Sequence, residues 1–314
     1  MANERIVFMG TPDFAANILE CLIKNDYNIV GVVTQCDKKV GRKQQLTYSP
    51  VKEVATKYHI PLFQPAKIKD DYQAVLDFEP DLILTAAYGQ IIPKALLDYP
   101  HYHCINTHGS LLPKYRGGSP IQTALINGET YTGMTLMFME EKMDAGDILR
   151  QEKLLITDED TNATLFKKLS DLAAKMLLEF LPAYFAGSYE SRKQNIEEVT
   201  YSYNLKKEDE FIHFDRPVRT VFNHIRGLLD NPGAFGILNG RSYKFLKVAY
   251  AEDNSCGPDS VFLGLEADYL KIACLDGYIK VYSIKPEGKN AMDARSFYNG
   301  AGRSLVGSQF AKEF

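Results

Sequence analysis

The sequence has no tryptophan and no excess of positive charge: 36 lysines and arginines stand against 40 aspartates and glutamates, a formal net charge of -4. A chain so balanced has no global attraction for nucleic acid or for an anionic membrane, and any polyanion it binds must be held by a local patch. No apolar run reaches about 18 residues, the length a membrane-crossing helix requires, so no span is expected. The opening residues, MANERIVFMGTPDF, lack the basic start, apolar middle and small-residue cleavage site of a secretion signal. The five cysteines (Cys21, Cys36, Cys104, Cys256 and Cys274) are odd in number and scattered, with no pair at CxxC spacing. They read as buried free thiols in a reducing cytoplasm.

Two signatures of common enzyme classes are missing as well. GTPDF at 10–14 follows the first strand-like run but lacks the GxGxxG spacing that cradles a pyrophosphate, which disfavours nicotinamide dinucleotide binding. GxSxG is absent, and Ser110 starts an apolar loop rather than a strand-to-helix elbow, which disfavours a serine hydrolase.

What is present is an ordinary globular composition, 45% hydrophobic and 24% charged, in a chain of 314 residues that is comfortable for two cores. Apolar, β-branched runs alternate with amphipathic segments. RIVFMG (5–10), NIVGVVT (28–34), PLFQP (61–65), DLILTAAYG (81–89), CINTHGS (104–110) and TGMTLMFME (132–140) read as six strands. Helices are expected at 14–25 and from Ser49-Pro50, an N-cap followed by a first-turn proline. Alternation of this kind predicts a Rossmann-like α/β domain with a parallel sheet covered on both faces. A helix over about 161–185 is followed by a charged stretch that reads as an exposed linker. Beyond it, one helix-like segment (218–229) precedes short alternating strands such as RSYKFLKVAY and YIKVYSIKP, the pattern of a small β-barrel. The expected organisation is a catalytic domain over 1–188, a linker over 189–207 and a barrel over 208–314.

Chemistry is expected at the carboxyl ends of the parallel strands. Asn106 and His108 are two apart on an extended segment, so their side chains project to the same side. An amide donor beside an imidazole suits an oxyanion that develops during a reaction. Asp144, in the loop MDAGDIL beyond the sixth strand, is a chemically sensible partner for His108, because a carboxylate stabilises imidazolium and orients the ring. Asp144 and Asp147 are too few oxygen ligands for a calcium site.

Asn106-x-His108, SLLP at 110–113, RGGSP at 116–120 and Asp144-x-Gly146-Asp147 together resemble the formyltransferase family that uses 10-formyltetrahydrofolate. GTPDFA at 10–15, the insertion TQCDKKVGRKQQLTYSPVK at 34–52, FQP at 63–65, AYGQIIP at 87–93 and PEGKNAM at 286–292 are similar to the methionyl-tRNA formyltransferases within it. The resemblance implies a Rossmann-like domain followed by a barrel resembling an OB fold. It implies transfer of the formyl group from N10 of the folate to the α-amine of methionine on initiator tRNA, for translation initiation. Asn106 and His108 are then expected to stabilise the oxyanion, and Asp144 to support His108 and help remove the amine proton. Ser110, Leu111, Leu112 and Pro113, with Tyr88, Gly89, Gln90 and Ile91, are expected to line the folate. No metal is implied. Arg42 and Lys43 of the basic insertion, which also carries Lys38, Lys39 and Lys52, are expected to contact tRNA. Residues 208–314 hold about as many acids as bases, so Lys206 and Lys207 of the linker are expected to carry part of that affinity. DNA and membrane are not expected partners, and the chain is expected to be a monomer. The alternative reading on the same catalytic residues is a sugar-nucleotide N-formyltransferase.

Overall fold

A computed structural model describes residues 3–40 and 45–314. In chain order its first elements are β1 (Ile6–Gly10), α1 (Asp13–Lys24), β2 (Ile29–Val33), β3 (Lys38–Val40), β4 (Gln45–Thr47), α2 (Pro50–Lys57) and β5 (Leu62–Phe63). They are followed by α3 (Gln73–Leu76), β6 (Leu82–Ala86), α4 (Lys94–Leu97), β7 (Cys104–His108), β8 (Arg116–Gly117), α5 (Pro120–Ile126) and β9 (Tyr131–Phe138). β10 (Ile148–Leu155), α6 (Asn162–Phe185) and β11 (Tyr201–Ser202) come next. The chain divides into two compact units, the first made of Met1–Pro120, Tyr131–Leu155 and Phe166–Ser202. The second takes Ile121–Thr130, Ile156–Leu165 and Tyr203–Phe314.

The first unit is built on a seven-stranded sheet in the order β10-β9-β7-β6-β1-β2-β5. Its five strands from β7 to β5 are parallel. Every residue of β1 and of β6 is buried, as continuous apolar runs require when helices cover both faces of a parallel sheet. Ile6, Val7, Phe8 and Met9 are wholly buried, and each such side chain stabilises the fold by roughly 1.5–3 kcal/mol. The sixth expected strand is β9, and it runs antiparallel to β7 rather than continuing the parallel order. A parallel return needs a crossover of about a dozen residues or more that packs on the sheet. Here residues 121–130, which lie between the two strands, belong to the second unit and supply no such crossover. β10 then pairs antiparallel with β9 at the sheet edge.

Strand order reverses at β1. The chain proceeds outward to β2 and β5 and then returns to β6 on the other flank, with Gly10 paired to Ala86 at the carboxyl end. That reversal opens a crevice at the carboxyl ends of the strands, and the loops after β1, β6 and β7 emerge there side by side.

Two local features follow directly from sequence. Ser49 caps α2 by accepting the Lys52 N–H at 3.1 Å, and Pro50 occupies the first turn, where its missing N–H is not needed. Within the basic insertion β3 and β4 pair antiparallel, with Lys38 opposite Thr47 and Lys39 opposite Leu46. Arg42 and Lys43 lie outside the described residues.

In the second unit, α7 (Val218–Leu228) precedes β12 (Phe235–Leu238), β13 (Arg241–Glu252), β14 (Phe262–Glu266), β15 (Tyr269–Cys274), β16 (Gly277–Pro286), β17 (Met292–Asp293) and α8 (Ala294–Gly300). The antiparallel order β12-β13-β16-β15-β14 leaves β12 and β14 as edges. Bridges Leu238–Phe310 and Val261–Gln309 join both edges to the C-terminal segment, which closes the sheet into a barrel. Closure removes the exposed strand edges that an open sheet would present. The core includes Phe214, Phe245, Ile272 and Val281, each at most 1% exposed.

Candidate active site

Asn106 and His108 end β7, beside β6 and next to the reversal in strand order. Thr107, between them, points the other way and donates to the Thr85 carbonyl at 3.2 Å. The Thr85 hydroxyl donates to Asn106 Oδ1 at 2.8 Å. This fixes the orientation of the amide and leaves Nδ2, the donor, with no hydrogen bond among the described residues.

His108 is 5% exposed. Its Nε2 lies 2.8 Å from the Tyr115 carbonyl, a group that can only accept, so Nε2 carries hydrogen. In the neutral ring Nδ1 is then the free lone pair, and it lies 3.7 Å from Asp144 Oδ2. The separation suits a carboxylate that takes up an ion pair when Nδ1 gains a proton.

Asp144 stands in the loop between β9 and β10 with φ of 50°, in the left-handed region that aspartate tolerates. Its Oδ2 accepts the Gly117 N–H at 2.8 Å, and Oδ1 makes no hydrogen bond among the described residues. Gly117 has φ of 115°, and a Cβ there would run into the Ser202 carbonyl, so no other residue places this N–H without shifting the chain. The structure therefore brings Asp144 to His108, with Asn106 two residues away on the same strand, and among the described residues leaves a free donor, a free lone pair and a free carboxylate oxygen.

The expected folate segments contribute unequally. Leu112 packs with Met137 and Ile148 in the core. Its N–H donates to Thr135 Oγ1 at 3.2 Å and its carbonyl accepts from Gln151 Nε2 at 2.8 Å. The Ser110 hydroxyl donates to the Lys114 carbonyl at 2.6 Å, and the Ser110 carbonyl accepts from Thr135 at 2.6 Å. The SLLP loop is thus held from within, with Leu111 and Pro113 only half-buried. Tyr88 is buried; burial pushes its hydroxyl pKa up, and that oxygen has no partner among the described residues. The Gln90 amide accepts the Ile68 N–H at 2.8 Å, so its side chain serves the fold. Ile91 is 75% exposed. By contrast, the backbone N–H and C=O groups of residues 89–91 make no hydrogen bond among the described residues. Unpaired backbone after β6, and the half-buried Leu111 and Pro113 after the neighbouring β7, suit a flat heterocycle with a hydrogen-bonding edge.

The two linker lysines differ. Lys206 is exposed, and its ammonium has no partner among the described residues. The Lys207 ammonium pairs with Glu210 at 2.5 Å and lies over the Phe235 ring.

Thr85, Gly117, Thr135, Gln151, Arg192 and Gln194 shape the site without having been anticipated as site residues. Gly117 lay inside the RGGSP motif. The others sit in strands or in a charged stretch where neither periodicity nor spacing distinguishes them. Among the described residues no group of three or more histidines, cysteines or acids is arranged to hold a metal, and no helix is long and apolar enough to cross a membrane.

A crevice of this kind, on this sheet, with a buried histidine facing a carboxylate and an unpaired amide donor beside it, has the makings of an acyl-group transferase. Residues 4–181 match the formyl transferase family, and residues 204–302 match the formyl transferase C-terminal domain. The chain belongs to the formyl transferase family. It is similar to the methionyl-tRNA formyltransferase of Geobacillus sp. (strain WCH70), at 47% identity over 305 residues, 96% of either chain. It is also similar to that of Listeria monocytogenes serotype 4a (strain HCC23), at 44% over 304 residues, 96% of this chain and 97% of the relative. Among solved structures, HypX from Aquifex aeolicus in complex with tetrahydrofolic acid shares the fold with a TM-score of 0.68 and 17% identity, covering 97% of this chain and 48% of that one.

Proposed function

We propose that this chain transfers the formyl group of 10-formyltetrahydrofolate to the α-amine of methionine carried by initiator tRNA. The observation that carries the chemistry is the pairing of His108 Nδ1 with Asp144 Oδ2 at 3.7 Å beside the unpaired Asn106 donor. The acceptor and donor are supported by the similarity to methionyl-tRNA formyltransferases along 96% of the chain, which favours this reading over a sugar amine as acceptor.

An ammonium cannot attack, so the amine must lose a proton, and N10 must gain one to leave. Bond making joins the amine nitrogen to the formyl carbon while the bond from that carbon to N10 breaks. Asp144 Oδ1 and the Nδ1 lone pair together hold the proton between those two events. The Asn106 Nδ2 hydrogens meet the negative charge that grows on the formyl oxygen, joined by Nδ1–H once His108 is protonated. The folate ring lies against Leu111 and Pro113, with its polar edge on the backbone of residues 89–91. Arg42 and Lys43 of the basic insertion, with Lys206, hold phosphates of the tRNA.

The purified chain, given 10-formyltetrahydrofolate and methionine-charged initiator tRNA, is expected to yield formylmethionyl-tRNA. Elongator methionyl-tRNA, uncharged tRNA and 4-amino sugar nucleotides are expected to remain unmodified. Formylation of a sugar amine with the tRNA untouched would overturn the assignment of acceptor. Asp144→Asn is expected to fold normally and to lose turnover by about two orders of magnitude or more, the scale of general acid–base catalysis. Near-normal turnover would make Asp144 a structural residue only.

A further inference from the structure

The segment after α6 was expected to be an exposed linker, and most of residues 189–202 are exposed. Gln194 is not: it is 9% exposed, and every hydrogen-bonding site on its amide is used. Nε2 donates to the Asp144 carbonyl at 2.9 Å and to the Gly146 carbonyl at 2.8 Å. Oε1 accepts from Arg116 Nε at 3.1 Å and Nη2 at 2.8 Å. With two carbonyls on one side and a guanidinium on the other, the amide has one orientation and no other residue type supplies both functions at that length.

The groups it joins are the two loops that set the Asp144 carboxylate. Arg116 immediately precedes Gly117, whose N–H donates to Asp144 Oδ2. The connection is therefore a closed ring: carboxylate to Gly117 N–H, along the chain to the Arg116 guanidinium, across Gln194, and back to the Asp144 main chain. The same segment is stitched to these loops on either side. Arg192 donates to Gln151, which in turn holds the Leu112 carbonyl, and the Thr200 carbonyl accepts the Arg116 N–H at 2.9 Å. A one-ångström drift of a reacting group costs orders of magnitude in rate, so a side chain that removes this freedom acts on turnover without touching substrate.

We propose that Gln194 is a positioning residue for the transfer, acting through Asp144. The proposal rests on the reading of Asp144 as the group that removes the amine proton. The test measures single-turnover formylation, KM for both substrates and melting temperature in Gln194→Met, with and without Asp144→Asn. Gln194→Asn, which keeps the amide but is one methylene shorter, serves as a second variant that conserves the chemistry should the first fail to fold. Either variant is expected to lower kcat by about tenfold or more with both KM values within about threefold, because an interaction that matters only at the transition state is lost. In the Asp144→Asn background the same substitution is expected to cost less than about threefold, since residues that act as a unit are not additive. An unchanged kcat, a loss confined to KM, or a full additive loss in the double variant would overturn the proposal. If Asp144→Asn is inactive and both Gln194 variants are fully active, only this inference falls; if Asp144→Asn is itself active, the reading beneath it falls too.

Discussion

Thr85 does for Asn106 what Tyr115 does for His108: it decides which face of a side chain the substrate meets. Its hydroxyl on Asn106 Oδ1 leaves the NH2 group outward, and Thr85 is itself only 3% exposed. Thr85→Val preserves shape and removes that hydroxyl, so the amide can turn its oxygen toward the formyl group. Turnover is expected to fall about tenfold, the equivalent of roughly one hydrogen bond lost from the transition state, with KM for the folate little changed. Steady-state kinetics at saturating tRNA checks this, and a rise in KM alone would assign Thr85 to ground-state binding. At this scale the sequence was legible where a candidate site is marked by residue type at fixed spacing, as with Asn106-x-His108 on β7. It was not legible for Thr85 or Gln194, because a buried threonine in an apolar strand and a glutamine in a charged stretch look like many others. Leu112 and Gln90 show the converse: adjacency to site residues in sequence does not say which side chains are consumed by the fold.

Elements that bury both faces announce themselves, and elements at an edge do not. β1 and β6 fall inside the apolar runs RIVFMG and DLILTAAYG, while the half-buried barrel strands β13 and β16 cover their alternating runs and overrun them by one or two residues. β10, with the sequence ILRQEKLL, has only Ile148 fully buried; its first two residues fall in the expected loop MDAGDIL and the rest was not anticipated as a strand. Its charges are those of an edge strand facing solvent. The direction of β9 was likewise hidden, because alternation of strand and helix gives the class of sheet while contacts far apart in sequence give the orientation of each strand. The start of α2 was fully legible, and it carries a stability prediction. Ser49→Ala removes the acceptor of the Lys52 N–H and one side of the 2.8 Å contact between the Ser49 and Thr34 hydroxyls. The expected loss is about 1 kcal/mol, with a drop of a few degrees in melting temperature followed by circular dichroism. A change within ±0.3 kcal/mol would show that solvent replaces the cap.

The molecule as a whole carries a net charge of -4 and is proposed to hold tRNA, so its binding must come from a few local cations. Counterion release makes such binding fall steeply with salt even when the protein is acidic overall. Filter binding between about 50 and 200 mM salt is expected to give a steep log–log slope, which Lys206→Ala lowers by roughly one unit. Lys207→Ala is expected to change it less, because Glu210 already neutralises that ammonium. Equal effects of the two substitutions, or a flat salt dependence, would refute this division of labour.

One carbonyl in the candidate site belongs to no side chain. The Tyr115 oxygen accepts from His108 Nε2 and, at 3.3 Å, from the Ser202 hydroxyl. Tyr115 has φ of 60°, so a codon change to a residue that tolerates the left-handed region replaces a phenol but leaves that oxygen in place. The tautomer of His108 is therefore insulated from loss of the side chain at the very residue that enforces it, and is sensitive there to a substitution that bends the chain. The location of a single proton is inherited through the route of the backbone.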